Sequence, residues 1–522
     1  MAGGGAVEGI DALRLPPGRP RGLETLQSRL LGDATAPACV SGGSVRLLRH
    51  DRVTVPCVLQ LHDTATGEVA PLRLREPGKV SLYVCGPTVD GVPHLGHGRF
   101  SLVFDVLRRY LLFSGLDVTY VSNITDIEDK IIERAAERGV PIAEFTAANE
   151  AQWWEIMDAL GVLRPDEAPH ATDYVDRMVD LIVDLVDRGV AYETATGVYL
   201  SVLDVPGYGL LARQPLDSLR AGARIEADEE KRSPLDFVLW KKAKPGEPSW
   251  EAPWGAGRPG WHTECVVMSL DLLGDGFELH GGGLDLMFPH HENERAQAVA
   301  SGREFARHWM HNGWVTVGGE KMSKSLGNFT SLSDLLARSD GRAYRLLVLR
   351  SHYRSPIEVT PDTIADAEAG LARLDELGRR FELVDPLVDG PVVDPGSGAG
   401  TEVDADAVAR FRLRMDDDLD TPGALAIVFD LVRQANTSAD AGDSSGAQRV
   451  ARTVALLCAA LGLPLRRGAG GEIDAASAAL VQRRDQARAE RNFAEADALR
   501  SELERAGWLV EDGPDGTRIR RR

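Results

Sequence analysis

The segment Val80-Ser81-Leu82-Tyr83-Val84-Cys85 is apolar and β-branched enough for a buried strand, and it runs into a Gly/Pro-rich turn from Gly86 to Gly98. Phe100, Val103, Phe104, Leu107 and Leu111 then recur at helical spacing, and Gly115 can cap that helix. Val118-Thr119-Tyr120-Val121 reads as the next strand. Strand, crossover helix and strand predict a right-handed unit of a parallel sheet, so the chain is read as α/β.

Within that turn lies Pro93-His94-Leu95-Gly96-His97-Gly98, between the end of a strand and the start of a helix. This is the phosphate-binding position of a parallel sheet, where helix N–H groups and the helix dipole favour anions. His94 and His97 can both face a bound triphosphate, and Gly96 lets a nucleotide approach the backbone. Taken alone, the tetrad is also what a His-rich surface turn looks like. A second motif, Lys321-Met322-Ser323-Lys324-Ser325-Leu326-Gly327-Asn328, puts two lysines on a Ser/Gly-bearing loop suited to a pyrophosphate leaving group.

A third constellation is Cys85, Cys265 in Gly260-Trp261-His262-Thr263-Glu264-Cys265, and His290 with Glu294 in Phe288-Pro289-His290-His291-Glu292-Asn293-Glu294. If Pro289 opens a helix, the four-residue step puts His290 and Glu294 on one face. Two thiolates, an imidazole and a carboxylate form a plausible tetrahedral zinc set. Buried free cysteines are common, however, and spacing alone does not pair distant ligands. His291 is a rival ligand, read here as a supporting residue.

The His94–His97 tetrad and the Lys321–Asn328 loop together resemble the HIGH and KMSKS signatures of class I aminoacyl-tRNA synthetases, in the right order. With Tyr83–Val89, Asn123-Ile124-Thr125-Asp126, Asp129-Lys130, Gly260-Trp261-His262, His280–Asp285 and Phe288–Glu294, the chain resembles the cysteinyl-tRNA synthetase family from about Val58 to its end. Asp90-Gly91-Val92, where the family often has an aromatic residue, and Leu95 in place of isoleucine are the departures.

The resemblance implies a Rossmann-like catalytic domain that activates L-cysteine with ATP and Mg2+ and then charges tRNA(Cys). It implies one Zn2+ on Cys85, Cys265, His290 and Glu294, bound directly by the substrate thiolate. Thr125 and Trp261 would line the amino-acid pocket. Gly281, Gly282 and Asp285 would meet the adenosine, and Lys324 the phosphates, with His94, His97 and Lys321 completing the catalytic set. A soft thiolate bonds zinc far better than a serine hydroxyl, so such a site would reject serine strongly and need no editing domain.

The expected organisation is an extension over 1–56, a catalytic domain over 57–360 with a connective insertion near 135–260, and a helical tRNA-binding bundle over 361–470. A linker at 385–402 interrupts the bundle, and a small anticodon-binding domain covers 471–522. Gly507-Trp508-Leu509-Val510 and the arginines at 518 and 520–522 carry the last expectation, for tRNA needs only a local basic surface on a chain of net charge −20. Five scattered cysteines make no disulfide framework, and no apolar run is long enough for a membrane span. The expectation is a cytoplasmic protein, with the resemblance leaning to a monomer.

Three rivals stay open: a cysteine ligase of mycothiol synthesis that transfers to an amino sugar, a non-catalytic zinc- and RNA-binding module, and a general nucleotidyltransferase. Residues beyond Gly390 speak against the first, intact ATP motifs against the second, and the four candidate zinc ligands against the third.

Overall fold

The computed structural model describes residues 59–214, 230–318, 320–321, 331–383, 403–466, 475–506, 508–513 and 516–521. The expected extension 1–56, the linker 385–402, Lys324 and residues 322–328 of its loop, Gly507 and Arg522 lie outside them.

A short antiparallel hairpin, β1 (Gln60–Asp63) and β2 (Glu68–Pro71), precedes the sheet. β3 (Lys79–Val84), helix α1 (Leu95–Phe113) and β4 (Asp117–Val121) then form the expected unit, with β3 and β4 parallel from Lys79 opposite Asp117 to Tyr83 opposite Val121. Val80, Leu82, Tyr83 and Val84 are all buried, the near-continuous burial a parallel strand covered on both faces demands. The chain next leaves the sheet through helices Asp129–Arg138, Ile142–Ala159 and Val175–Asp187. A separate antiparallel sheet follows, made of β5 (Ala191–Glu193), β6 (Gly197–Leu200), β7 (Phe237–Lys242) and β8 (Gly257–Pro259). After helix Trp261–Leu273 the chain returns as β9 (Leu279–Gly283), which pairs with the free side of β3. Helix Glu292–Ala300 and β10 (Trp309–Asn312) complete a parallel sheet of order β10-β9-β3-β4.

Beyond it, β11 (Val315–Val317) pairs with β12 (Glu320–Lys321) and, in parallel, with β13 (Ile357–Glu358). Four long helices follow: Pro361–Arg380, Ala405–Met415, Thr421–Asp440 and Ser444–Ala460. Their Leu371, Phe411, Val428 and Leu457 share one apolar core with Phe104 and Leu107 of α1, so bundle and sheet are packed as one body. Helices Ala475–Ala489 and Phe493–Arg505 with the hairpin β14 (Trp508–Gly513) and β15 (Gly516–Arg521) bury their own small core of Leu503, Trp508 and Val510. Among the described residues, no helix is long and apolar enough to cross a membrane.

Two features were invisible to periodicity. In the turn that joins helices Ala405–Met415 and Thr421–Asp440, Asp418 and Leu419 both take left-handed backbone, with φ of 53° and 56°. Such geometry costs L-residues about 1–2 kcal/mol each.

Asp105, fully buried on α1, accepts from Arg345 Nη1 at 2.5 Å, Arg109 Nε at 2.8 Å and the Leu163 N–H at 2.8 Å. Burial alone would raise its pKa, but Arg345 and Arg109 hold it below the ordinary carboxylate value. Removing one member of a buried pair leaves the other charge uncompensated, so Asp105→Asn is expected to destabilise by about 3–5 kcal/mol in chemical denaturation at neutral pH. A depressed carboxylate stabilises fully above its unfolded pKa of about 4 and loses that stabilisation as pH falls toward the folded value. The gap between wild type and Asp105→Asn should therefore narrow below about pH 4; a gap that widens on acidification would refute this account.

Candidate metal and nucleotide site

The site forms where the parallel strands end. Cys85 follows β3, and its N–H donates to the Gly281 carbonyl of β9 at 3.2 Å. Cys265 sits one turn into helix Trp261–Leu273. Pro289 does not open a regular helix as expected: Phe288 has extended backbone, the Phe288–Pro289 bond is cis, and residues 287–291 form one irregular wide turn before the helix begins at Glu292. Helical backbone resumes early enough that His290 Nε2 still meets Glu294 Oε1 at 2.9 Å.

One ligand atom each from Cys85, Cys265, His290 and Glu294 lies within 4.8 Å of all the others, and all four side chains are buried. The Cys85 Sγ–H donates to Cys265 Sγ at 3.5 Å and to Glu294 Oε1 at 3.4 Å, while Cys265 Sγ lies 3.7 Å from His290 Nε2. A tetrahedron with metal–sulfur arms of 2.3 Å has edges of roughly 3.8 Å, shorter where nitrogen or oxygen takes a corner. The donors thus already stand near the spacing that a zinc ion requires, and both cysteines are free thiols. A second set of four shares Cys85 and Glu294 and adds His280 and His291. The first offers two soft sulfurs and suits zinc better.

The electrostatics hold the set ready for a cation. Burial opposes ionisation of Cys265, yet the hydrogen bond from Cys85 and the neighbouring His290 bring it down to about 6. Burial pushes the Cys85 thiol well up. Burial likewise works against charge on His290, but Glu294 and Cys265 hold it up at about 10. For Glu294, burial is outweighed by His280 and His290, which keep the carboxyl well below its usual range.

Around these donors stands a shell that the sequence reading largely missed. His280 Nε2 lies 2.7 Å from Glu294 Oε2, and His262 Nδ1 2.8 Å from His290 Nδ1. His291 Nδ1 meets His311 Nε2 at 2.7 Å, and His311 Nδ1 meets the Thr64 hydroxyl at 2.7 Å. Burial lowers both His262 and His311 to about 3, so they are neutral imidazoles that orient rather than repel. His280 stood in a quoted motif without a role, and His311 carried no signal at all.

The remaining expected residues fall into three groups. Trp261, 37% exposed, stacks on His290 with ring centroids 4.0 Å apart, and so covers the metal set from the solvent side. Thr125 is buried, donates to Glu264 Oε2 at 2.9 Å and accepts from Asn123 Nδ2 at 3.1 Å. Asn123 Oδ1 in turn faces Gly86 N at 2.9 Å and Cys265 Sγ at 3.7 Å.

His94 and His97 form a reciprocal cap at the start of α1. Each ring Nδ1 accepts the other residue's backbone N–H, at 3.3 and 3.2 Å, and the rings stack 3.7 Å apart. Because Nδ1 accepts, a neutral ring carries its proton on Nε2. Gly96 is part-buried in that first turn, and Asp285 is exposed just beyond β9. Lys321 belongs to β12, opposite Thr316.

Gly281 and Gly282 have a packing reason to be glycine: a Cβ would fall 2.2 Å from Phe104 Cε1 and 2.8 Å from His291 Cε1. Gly281→Ala must displace the buried Phe104 ring and is expected to cost about 1–3 kcal/mol, read as a lower denaturation midpoint. An unchanged midpoint would show that the ring can yield.

Comparison with known proteins gives a consistent result. The family described as "tRNA synthetases class I (C) catalytic domain" matches residues 71–369, a DALR domain matches 410–466, and a cysteinyl-tRNA ligase anticodon binding domain matches 470–520. A cysteine–tRNA ligase of Thioalkalivibrio sulfidiphilus is 48% identical over 474 residues, covering 89% of this chain and 100% of the relative. Those of Alkalilimnicola ehrlichii and Chromobacterium violaceum are each 47% identical, again over 89% of this chain and all of the relative. Among solved structures, Mycobacterium tuberculosis methionyl-tRNA synthetase in complex with methionyl-adenylate shares the fold at a TM-score of 0.53 and 18% identity, covering 74% of this chain and 89% of that one.

Proposed function

The chain belongs to the cysteine–tRNA ligase family of class I synthetases, and on that premise we propose that Cys85, Cys265, His290 and Glu294 hold a zinc ion that selects cysteine. The observation that carries this is the convergence of two thiols, an imidazole and a carboxylate, all buried, at the mouth of the parallel sheet. Zinc bound there would supply a soft Lewis acid for the substrate thiolate, which a serine hydroxyl cannot match. His280 and His262 hold Glu294 and His290 in their bound orientations, the role of outer partners in metal sites. Trp261 and the Asn123–Thr125–Glu264 chain wall the amino-acid pocket.

ATP, with Mg2+, lies over the start of α1 in this reading, its phosphates facing the Nε2 side of His94 and His97, and Asp285 and the backbone of Gly281 and Gly282 meet the adenosine. The cysteine carboxylate attacks the α-phosphorus and pyrophosphate leaves, its growing charge met by the two imidazoles and by Lys321 and Lys324. The terminal ribose hydroxyl of tRNA(Cys) then attacks the activated carbonyl and releases AMP. No side chain needs to form a covalent bond, so positioning and charge stabilisation set the rate. The same reading makes the enzyme a cytoplasmic monomer.

Cysteine-dependent ATP–pyrophosphate exchange followed by charging of tRNA(Cys) tests the proposal. Exchange should favour cysteine over serine by about 10⁴-fold or more, as for sites whose buried groups are left unmatched by the wrong substrate. Exchange that fails to distinguish the two amino acids would remove the proposed role of the metal. Charging of an amino sugar instead of tRNA would favour the mycothiol-type reaction, which the match at 470–520 to an anticodon binding domain disfavours.

A further inference from the structure

A buried polar chain links the helix that carries His94 and His97 to the helical bundle. Arg99, 1% exposed on α1, donates from Nη1 to the Trp314 carbonyl at 2.5 Å, and from Nη2 to the carbonyls of Tyr353 at 3.0 Å and of Ser355. The Gly313 N–H donates to the same Tyr353 carbonyl at 2.8 Å. A Cβ on Gly313 would lie 2.5 Å from the Arg354 carbonyl, so residues 353–355 are pressed against the link between β10 and β11, from which the chain runs on to β12 and Lys321.

The far side of this segment meets the bundle at Asp418. Tyr353 Oη donates to Asp418 Oδ1 at 2.7 Å, and Arg354 Nε donates to Asp418 Oδ2 at 2.8 Å. The His62 N–H also donates to Asp418 Oδ1, at 2.8 Å. Asp418 is 4% exposed and takes left-handed backbone, which aspartate tolerates, as does Leu419, for which it is costly. Strain of this kind persists only where the surroundings over-determine it. Here the surroundings are the catalytic half: besides Tyr353, Arg354 and His62, Tyr110 Oη of α1 donates to Asp416 Oδ1 at 2.6 Å, and Gln60 exchanges backbone bonds with Asp416 and Asp418.

We propose that Asp418 is a positioning residue that couples tRNA bound on the bundle to the two ATP motifs. The inference rests on the function proposed above and adds a route by which the two ends communicate. A bundle shift that relaxes the turn at 418–419 releases Tyr353 and Arg354. That in turn loosens the bonds by which residues 353–355 hold Arg99 of α1 and Gly313 just before β11. A ligand that favours one state of this turn therefore biases both sites, and linkage makes the effect reciprocal.

The test measures the dissociation constant of tRNA(Cys) with and without saturating cysteine and a non-hydrolysable ATP analogue. It is run on the wild-type full chain, on Asp418→Asn and on Tyr353→Phe. Tyr353→Phe removes only the hydroxyl and serves if Asp418→Asn does not fold. Filling the ATP site of the wild type should change tRNA affinity by about fivefold or more, the lower end of ordinary allosteric coupling. In the variants that ratio should fall toward one, while tRNA affinity of the empty enzyme stays near wild type. Variants that keep the wild-type ratio, or that lose tRNA binding outright, would overturn the coupling role, as would a wild type with no ratio to lose. A wild type that binds no tRNA(Cys) would instead sink the underlying function.

Discussion

Cys265→Ala is expected to purify without its zinc and to lose cysteine-dependent pyrophosphate exchange by roughly 10³-fold or more, equivalent to the several kcal/mol that metal assistance supplies. Cys265 is the thiol already nearest to the anion, and it bridges the set: it accepts from Cys85 and faces both His290 and Asn123. Its loss leaves three donors, one of them a thiol that burial keeps protonated. The His290–Glu294 and Glu294–His280 contacts remain, so the fold should survive, as retained circular dichroism and a cooperative denaturation would record. Zinc retained at one equivalent by Cys265→Ala, with exchange intact, would mean that the alternative set with His280 and His291 binds the metal.

His97→Ala should be the second severe variant, lowering exchange by roughly 10²–10³-fold, the usual cost of removing one donor aimed at developing charge. Two losses coincide. The His94 N–H loses the acceptor that His97 Nδ1 provides, which costs about 1 kcal/mol as other helix caps do. The Nε2–H proposed to face the phosphates disappears as well. The two are separable: His97→Asn can restore an acceptor for the cap, and so should recover stability while leaving most of the rate deficit. A deficit in exchange that vanishes once the cap is restored would make His97 a structural residue and not a phosphate ligand.

How much of this could be read in advance depends on how local each interaction is. The unit of β3, α1 and β4 was legible because its apolar residues repeat at the periods that strands and helices impose. The four clustered donors were legible as ligand-type residues and were joined into one set only by the family resemblance, since 180 positions separate Cys85 from Cys265 and no periodicity reports a contact across that distance. The step from His290 to Glu294 came out facing as expected, although the regular helix opens at Glu292 and not at Pro289. Thr125 was expected against substrate, and its hydroxyl is bonded to Glu264, a partner no motif announced. The pairs Asp105–Arg345 and Tyr353–Asp418 join residues 240 and 65 positions apart, and the left-handed turn at Asp418 and Leu419 contains no glycine to announce it.

X-ray absorption at the zinc edge, recorded before and after adding cysteine, tests the central claim most directly. The account predicts two sulfur neighbours near 2.3 Å, a distance typical of zinc thiolates, in the enzyme alone. It predicts three when cysteine is present and two still when serine replaces it. A spectrum that stays at two sulfurs with cysteine bound, or that contains none to begin with, would contradict it.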